Sequence, residues 1–376
     1  MNRFTKLLSA LFLGGGFLFA HNNTAWRASY EDSVRASLIA LAVGDAMGRP
    51  TEFLPSLKQI FTAYPQGIRS FDDFKSTDFW YEQGNRIAPY TDDTEMAKVV
   101  MEVLLSAQEK KKDSESVMGD IASAFYQDMH NQKGWAMAER APGNACLKAV
   151  QKLGPAVGFI DRVGAFRSGW WKVGEPNAGG CGSVMRAAPF GLMFALDPEK
   201  AQNWAAQHSL ITHGAPLAQA ACAAMALGVA LAVQKEKPEN IAHAMVEVAR
   251  TYDEKTAQML ETAIAYAQKN KQAKNFIELF EVSKPVFEQF QGWAAHEAIA
   301  AALYCFLVCA DNVKGAIYLG VHTSGDSDSI ACMAGALVGA HVGMKQIPQE
   351  WIDTVEGSHE LQALAHEAAV FFEKQA

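Results

Sequence analysis

The chain has 376 residues, 49% of them hydrophobic and 20% charged, so it can bury a sizeable core and is not a disordered protein. With 33 basic against 41 acidic residues it carries a net charge of −8 and has no long basic run. That excludes a dedicated nucleic-acid binder, whose affinity rests on clustered Lys and Arg. Six scattered cysteines are too few for a disulfide framework in a chain this long, and none of their spacings is a zinc motif.

At the N-terminus, Arg3 and Lys6 precede a mostly apolar run from Leu7 to Ala20, followed by His21-Asn22-Asn23. This has the form of a secretory signal and is too short to span a bilayer comfortably. Leu18 is large for its position near a cut, however, and Gly14-Gly15-Gly16 weakens a helix. Residues 1–28 therefore read either as an export signal or as an extension on a cytoplasmic protein, and 29–376 as one domain. No later segment reads as a membrane span.

From Tyr30 the pattern turns helical, with Val34, Leu38, Leu41 and Ala42 on one face, and it stops around Gly44-Asp45-Ala46-Met47-Gly48-Arg49-Pro50-Thr51-Glu52. Two glycines four apart let another backbone approach closely, and Pro50 ends the helix. Asp45 and Glu52 read first as capping and turn residues, with a metal or substrate role as the alternative. Thr91-Asp92-Asp93-Thr94 opens the next helix, Asp92 and Glu95 forming a capping-box pattern. Only one side chain can occupy a cap position, so the second aspartate asks for another explanation.

A helix over Val117 to Met129 is followed by a loop-like stretch from Asn131 to Gly154. The most glycine-rich segment, Gly174 to Pro189, lacks the Gly-Lys-Ser/Thr ending of a nucleotide-hydrolase phosphate loop, yet its closely spaced N–H groups suit phosphate oxygens. Trp170 and Trp171 before it read as packing. His213, five residues after His208, reads as a hydrogen-bonding residue behind the site rather than a metal ligand. Beyond it the pattern is helical, from Pro216 to Val233, Glu239 to Asn270 and Gly292 to Leu319, and no stretch alternates as a sheet would.

Near the C-terminus, His322 to Ser329 runs into a segment where Ala331, Gly335, Gly339 and Gly343 recur every four residues. That face is nearly bare, so a neighbouring helix can pack on its backbone and hold the preceding loop in place. Asp326 and Asp328 sit at the loop-to-helix junction. Together with Asp92, Asp93, the hydroxyls of Thr91 and Ser329, and Glu52, they form an oxygen-only ligand set, which favours magnesium, manganese or calcium over zinc. Four clustered carboxylates repel one another, so two cations explain them better than one. From residue chemistry alone this is a helical two-metal hydrolase.

In this order, Gly44-Asp45-Ala46-x-Gly48-x-x-x-Glu52, Thr91-Asp92-Asp93-Thr94, Gly182-Ser183-x-Met185-Arg186-x-x-Pro189, Thr212-His213 and Gly325-Asp326-Ser327-Asp328-Ser329 resemble the motifs of the ADP-ribosylglycohydrolases, across roughly Tyr30 to Met344. The resemblance implies an all-α, single-domain orthogonal helical bundle with two Mg2+ or Mn2+ ions. It implies metal ligation by Thr91, Asp92, Asp93, Asp326, Asp328 and Ser329, with Asp92, Asp93 and Glu52 in catalysis. Substrate contacts are expected from Gly179, Gly180, Cys181, Gly182, Ser183, Ser324, Gly325 and Ser327. Gly179-Gly180-Cys181-Gly182 and Asp326-Ser327-Asp328-Ser329 are similar to the versions in ADP-ribosylarginine hydrolases, which implies arginine-linked ADP-ribose on a protein as substrate. Other ADP-ribose linkages are the alternative. So is an immunity protein that binds a cognate ADP-ribosyltransferase toxin through its N-terminal extension.

Overall fold

The computed structural model describes residues 24–163 and 167–375. The leader-like segment up to residue 23 lies outside them. Seventeen α-helices are described: α1 Thr24–Gly48, α2 Leu57–Ala63, α3 Asp92–Glu109, α4 Ser114–His130, α5 Asn144–Gln151, α6 Gly154–Val163, α7 Ala188–Met193, α8 Pro198–Ser209 and α9 Pro216–Val233, then α10 Pro238–Arg250, α11 Glu254–Asn270, α12 Phe276–Gln289, α13 Ala295–Val308, α14 Val313–Val321, α15 Ser327–Val342, α16 Gln349–Thr354 and α17 Ser358–Gln375. The fold is the expected all-α bundle. Its starts follow local chemistry: α2, α3, α4, α8, α11, α12 and α14 open on a Ser, Thr, Asp or Asn whose side chain accepts a backbone N–H. Proline occupies the first or second position of α7, α8, α9 and α10, where its missing N–H costs nothing.

The core is built around α1 and α15, which lie backbone to backbone. A Cβ on Gly44 would stand 2.2 Å from the Ala331 carbonyl oxygen, one on Gly335 2.2 Å from that of Ala40, and one on Gly339 2.5 Å from that of Ala36. Only glycine permits this approach. Glycine is a poor helix former, by about 1 kcal/mol against Ala, so dense packing must offset the loss. Ser37 Oγ reinforces the seam by donating to the Ala336 carbonyl at 2.9 Å. Helix α9 is long and apolar enough to cross a membrane, yet 83% of it is buried by the rest of the chain, as a core helix would be.

Several expectations change. Helix α1 begins at Thr24, six residues before Tyr30, with Trp26 already packed on the core. The stretch read as loop between Asn131 and Gly154 contains α5. Helix α12 went unread because Pro285 interrupts its pattern, a proline the helix tolerates internally. A small antiparallel hairpin does exist, β1 Trp80–Glu82 pairing with β2 Asn85–Ile87 around Gly84, whose φ of 86° only glycine adopts readily. Three-residue strands are too short to show alternation. Helix α3 is capped by Thr91, not Asp92.

The seam predicts opposite outcomes for one substitution at two glycines. Gly44→Ala places a methyl against the Ala331 backbone and should lower the urea midpoint, costing about 1–3 kcal/mol. Gly158→Ala in α6, where nothing lies within 4 Å, should raise it by roughly 0.5–1 kcal/mol.

Candidate active site

The two acidic motifs meet because α1 holds both. From its last turn, the Asp45 carboxylate accepts the Thr91 and Thr94 backbone N–H groups, each at 2.9 Å, and the Thr94 hydroxyl at 2.5 Å. It thus serves as a cap for α3 delivered from another helix, satisfying N–H groups that no residue of α3 itself reaches. On its other side, Gly48 lies against the start of α15: a Cβ there would be 2.4 Å from Asp328 Cα. Ser327 Oγ donates to the Gly48 carbonyl at 3.0 Å and lies 3.0 Å from Thr51 Oγ1.

Glu52, Asp326 and Asp328 each offer a carboxylate oxygen, and the three lie within 4.8 Å of one another. Asp92, Asp93, Asp326 and Asp328 are all buried, and each carboxyl is pushed above its ordinary value, first by burial. Asp328 is the leading charged neighbour of Asp92, Asp93 and Asp326. Asp45 is raised to about 7 by burial and then Asp328, its threonine donors holding it back, and Glu52 to about 11 by burial followed by Asp328 and Asp326. Asp93 Oδ2 is buried without a hydrogen-bond partner. An orphaned carboxylate oxygen among crowded acids, all oxygen donors, fits a hard divalent cation. Glu52, read from the sequence both in the oxygen ligand set and as a catalytic residue, stands with Asp326 and Asp328.

The glycine-rich loop forms the opposite wall. Cys181 Sγ donates to Asp326 Oδ2 at 2.6 Å and lies 3.3 Å from Ser329 Oγ. The loop's carbonyls are tied down: Gly179 accepts Ala295 N–H at 2.9 Å, and Gly182 accepts Arg186 Nη1 at 2.7 Å. Arg186 is fully buried, donating also to Thr212 Oγ1 at 2.7 Å and to His208 Nε2 at 3.2 Å. His213 shares a 2.8 Å hydrogen bond with that threonine hydroxyl and is pushed down to about 3 by burial and then Arg186, so it is a neutral support behind the loop.

Not every expected substrate contact is free to act. Ser183 and Ser327 have no exposed surface. The Ser183 hydroxyl lies 3.0 Å from Ser209 Oγ, and Ser327 joins α15 to α1, so both side chains serve the frame. Gly325 is fixed by close approach, a Cβ there falling 2.2 Å from the Gln291 carbonyl. Sequence reading undervalued Asp45, since nothing local says that a residue ending one helix caps another. Arg140 was missed altogether. It donates to the Tyr90 carbonyl at 2.7 Å and pairs with Glu356 and Glu95, fixing the residue before Thr91. A wide surface groove of about 1380 Å³ beside Trp80, Tyr90 and Glu356 contains none of the clustered carboxylates, so chemistry rather than volume marks the site.

The family model of the ADP-ribosylglycohydrolases matches residues 26–376. The chain belongs to this family. Among its relatives are the Danio rerio protein named ADP-ribosylhydrolase ARH3, 27% identical over 88% of each chain, and the Homo sapiens protein of that name, 26% identical over 76% of this chain and 79% of its own. The Pseudomonas putida ADP-ribosylarginine hydrolase Tri1 is 26% identical over 89% of this chain and 77% of its own. A solved structure titled "ADP-ribosylglycohydrolase-related protein complex" superposes with a TM-score of 0.64 over 92% of this chain and 99% of that one, at 20% identity, and shares the fold.

Buried acids whose folded values are raised bind more protons folded than unfolded, where carboxyls titrate near about 4. With chelator present, thermal stability should therefore fall as pH rises from about 4 through the value of about 7 at Asp45 and on toward that of about 11 at Glu52. Added magnesium or manganese should raise the melting temperature more at pH 8 than at pH 5. Melts at both pH values, with and without chelator, check this.

Proposed function

We propose that this family member hydrolyses the N-glycosidic bond between ADP-ribose and an arginine side chain on a protein, releasing ADP-ribose. The observation carrying the reading is the convergence of Glu52, Asp326 and Asp328, with Asp92 and Asp93 buried beside them and Asp93 Oδ2 left without a hydrogen-bond partner. Support for the arginine linkage comes from Gly179-Gly180-Cys181-Gly182 and Asp326-Ser327-Asp328-Ser329, and from the similarity to the Pseudomonas putida protein named ADP-ribosylarginine hydrolase Tri1.

In this reading Thr91, Asp92, Asp93, Asp326, Asp328 and Ser329 would hold two magnesium or manganese ions. Bound there, the ions would supply Lewis acidity for the ribose hydroxyls and for activating water. Asp92 or Asp93 accepts the proton of the water that attacks the anomeric carbon, while the glycosidic electron pair leaves with the guanidino nitrogen. Asp45 keeps the α3 terminus aimed through its three hydrogen bonds. The Gly179 to Ser183 loop, carbonyls drawn back by Ala295 and Arg186, presents N–H groups to diphosphate. Ser324, two residues before Asp326, lines the ribose in this reading.

ADP-ribose release from an arginine-modified protein should depend on magnesium or manganese and stop with chelator. Asp92→Ala and Asp328→Ala should each lower the rate by on the order of 10²–10⁴-fold while leaving soluble protein. A panel of arginine, serine, O-acetyl and poly-ADP-ribose linkages assigns the substrate, and preference for any but arginine would overturn this reading.

A further inference from the structure

Among the exposed large apolar side chains of the described residues, Phe53 at 63% and Trp293 at 43% lie on each other: the rings stack with centroids 5.4 Å apart and planes inclined by 23°. They come from segments remote in the chain, Phe53 from the turn after α1 and Trp293 from the segment before α13. Phe53 follows Glu52 directly and has a φ of 64°, the left-handed region that a bulky residue seldom occupies. Trp293 lies between Gly292, whose Cβ would stand 3.1 Å from Asp326 Cβ, and Ala294, which pairs with Gly180. Each ring is thus one residue from a point fixed on the site. Phe53 is anchored beside the carboxylate cluster, Trp293 between that cluster and the glycine loop.

An aromatic pair left in water forgoes burial, and a left-handed Phe stores backbone strain of the kind that gathers at functional sites. We infer that Phe53 and Trp293 form an acceptor-side clamp whose exposed aromatic faces, rather than the closed gap between the rings, take the guanidinium group of the ADP-ribosylated arginine; the inference rests on the function proposed above and deepens it. A planar, weakly hydrated guanidinium stacks on aromatic faces and is drawn to their π-clouds. A serine acceptor offers neither the plane nor the charge. The clamp therefore gives the cleft a reason to prefer arginine that the metal ligands, which meet the ribose common to all linkages, cannot supply.

The test compares a substrate that has the acceptor with a ligand that lacks it. KM and kcat are measured for ADP-ribosyl-agmatine, and the inhibition constant for free ADP-ribose, in wild type, Phe53→Leu, Trp293→Leu and Trp293→Phe. Loss of either ring should raise KM for ADP-ribosyl-agmatine about two- to thirty-fold, with a smaller rise in the ADP-ribose inhibition constant. Trp293→Phe, which keeps a π-face, should recover most of the loss. Urea midpoints matching wild type show that a rise in KM is not misfolding. Equal rises for both ligands would assign the pair to ADP-ribose itself, through stacking of its base, and would overturn the clamp, as would an unaltered KM. Failure of wild type to cleave ADP-ribosyl-agmatine while cleaving another ADP-ribose linkage would instead sink the proposed function and remove the clamp's occupant with it.

Discussion

Contact between α1 and α15 at glycine distance is the constraint on which the rest of the molecule depends. With Gly44, Gly335 and Gly339 at the seam, the two backbones lie closer than any side chain allows, and both acidic motifs hang from this pair. Asp45, at one end of the contact, reaches across to cap α3 and so places Asp92 and Asp93. Gly48, one turn on, seats the first residues of α15 and so places Asp326 and Asp328. A single helix end therefore sets the relative position of carboxylates separated by more than two hundred residues of chain.

That arrangement runs against electrostatics. Bringing five buried carboxylates together raises all of their pKa values, because burial disfavours each charge and Asp328 repels those of Asp45, Asp92, Asp93 and Asp326. A protein selected only for stability would bury hydrophobic residues there. The surroundings instead are built to hold the acids still: three donors fix Asp45, the Gln291 carbonyl takes the Asp326 N–H at 2.8 Å, and the Ser329 N–H reaches Asp328 Oδ1 at 2.9 Å. None of these neutralises the cluster. A rigid frame around uncompensated charge is what a cation site needs before its ion arrives. Arg186, whose charge reaches Asp92, is spent on the Gly182 carbonyl, Thr212 and His208, and thereby fixes the loop rather than the acids.

The local chemistry of both acidic motifs was open to sequence reading, because oxygen ligands at helix starts and glycines at four-residue spacing each have a short-range signature. The seam itself was foreseen from Ala331, Gly335, Gly339 and Gly343. What stayed hidden were contacts with no local mark: Asp45 capping a different helix, Arg140 gripping Tyr90 from fifty residues away, and the inward turn of the Ser183 and Ser327 hydroxyls. Helix α12 was hidden for another reason, since an internal proline imitates a helix end.

By itself the sequence determined the all-α class, the small-residue seam, and the residue types that could bind a hard cation, because helical period, close approach and ligand hardness are properties of short stretches. Only the tertiary structure decided which carboxylates share one space, that Glu52 stands with Asp326 and Asp328, and that Phe53 stacks on Trp293. Those are distances between residues remote in the chain, and they exist only once α1 and α15 have closed on each other.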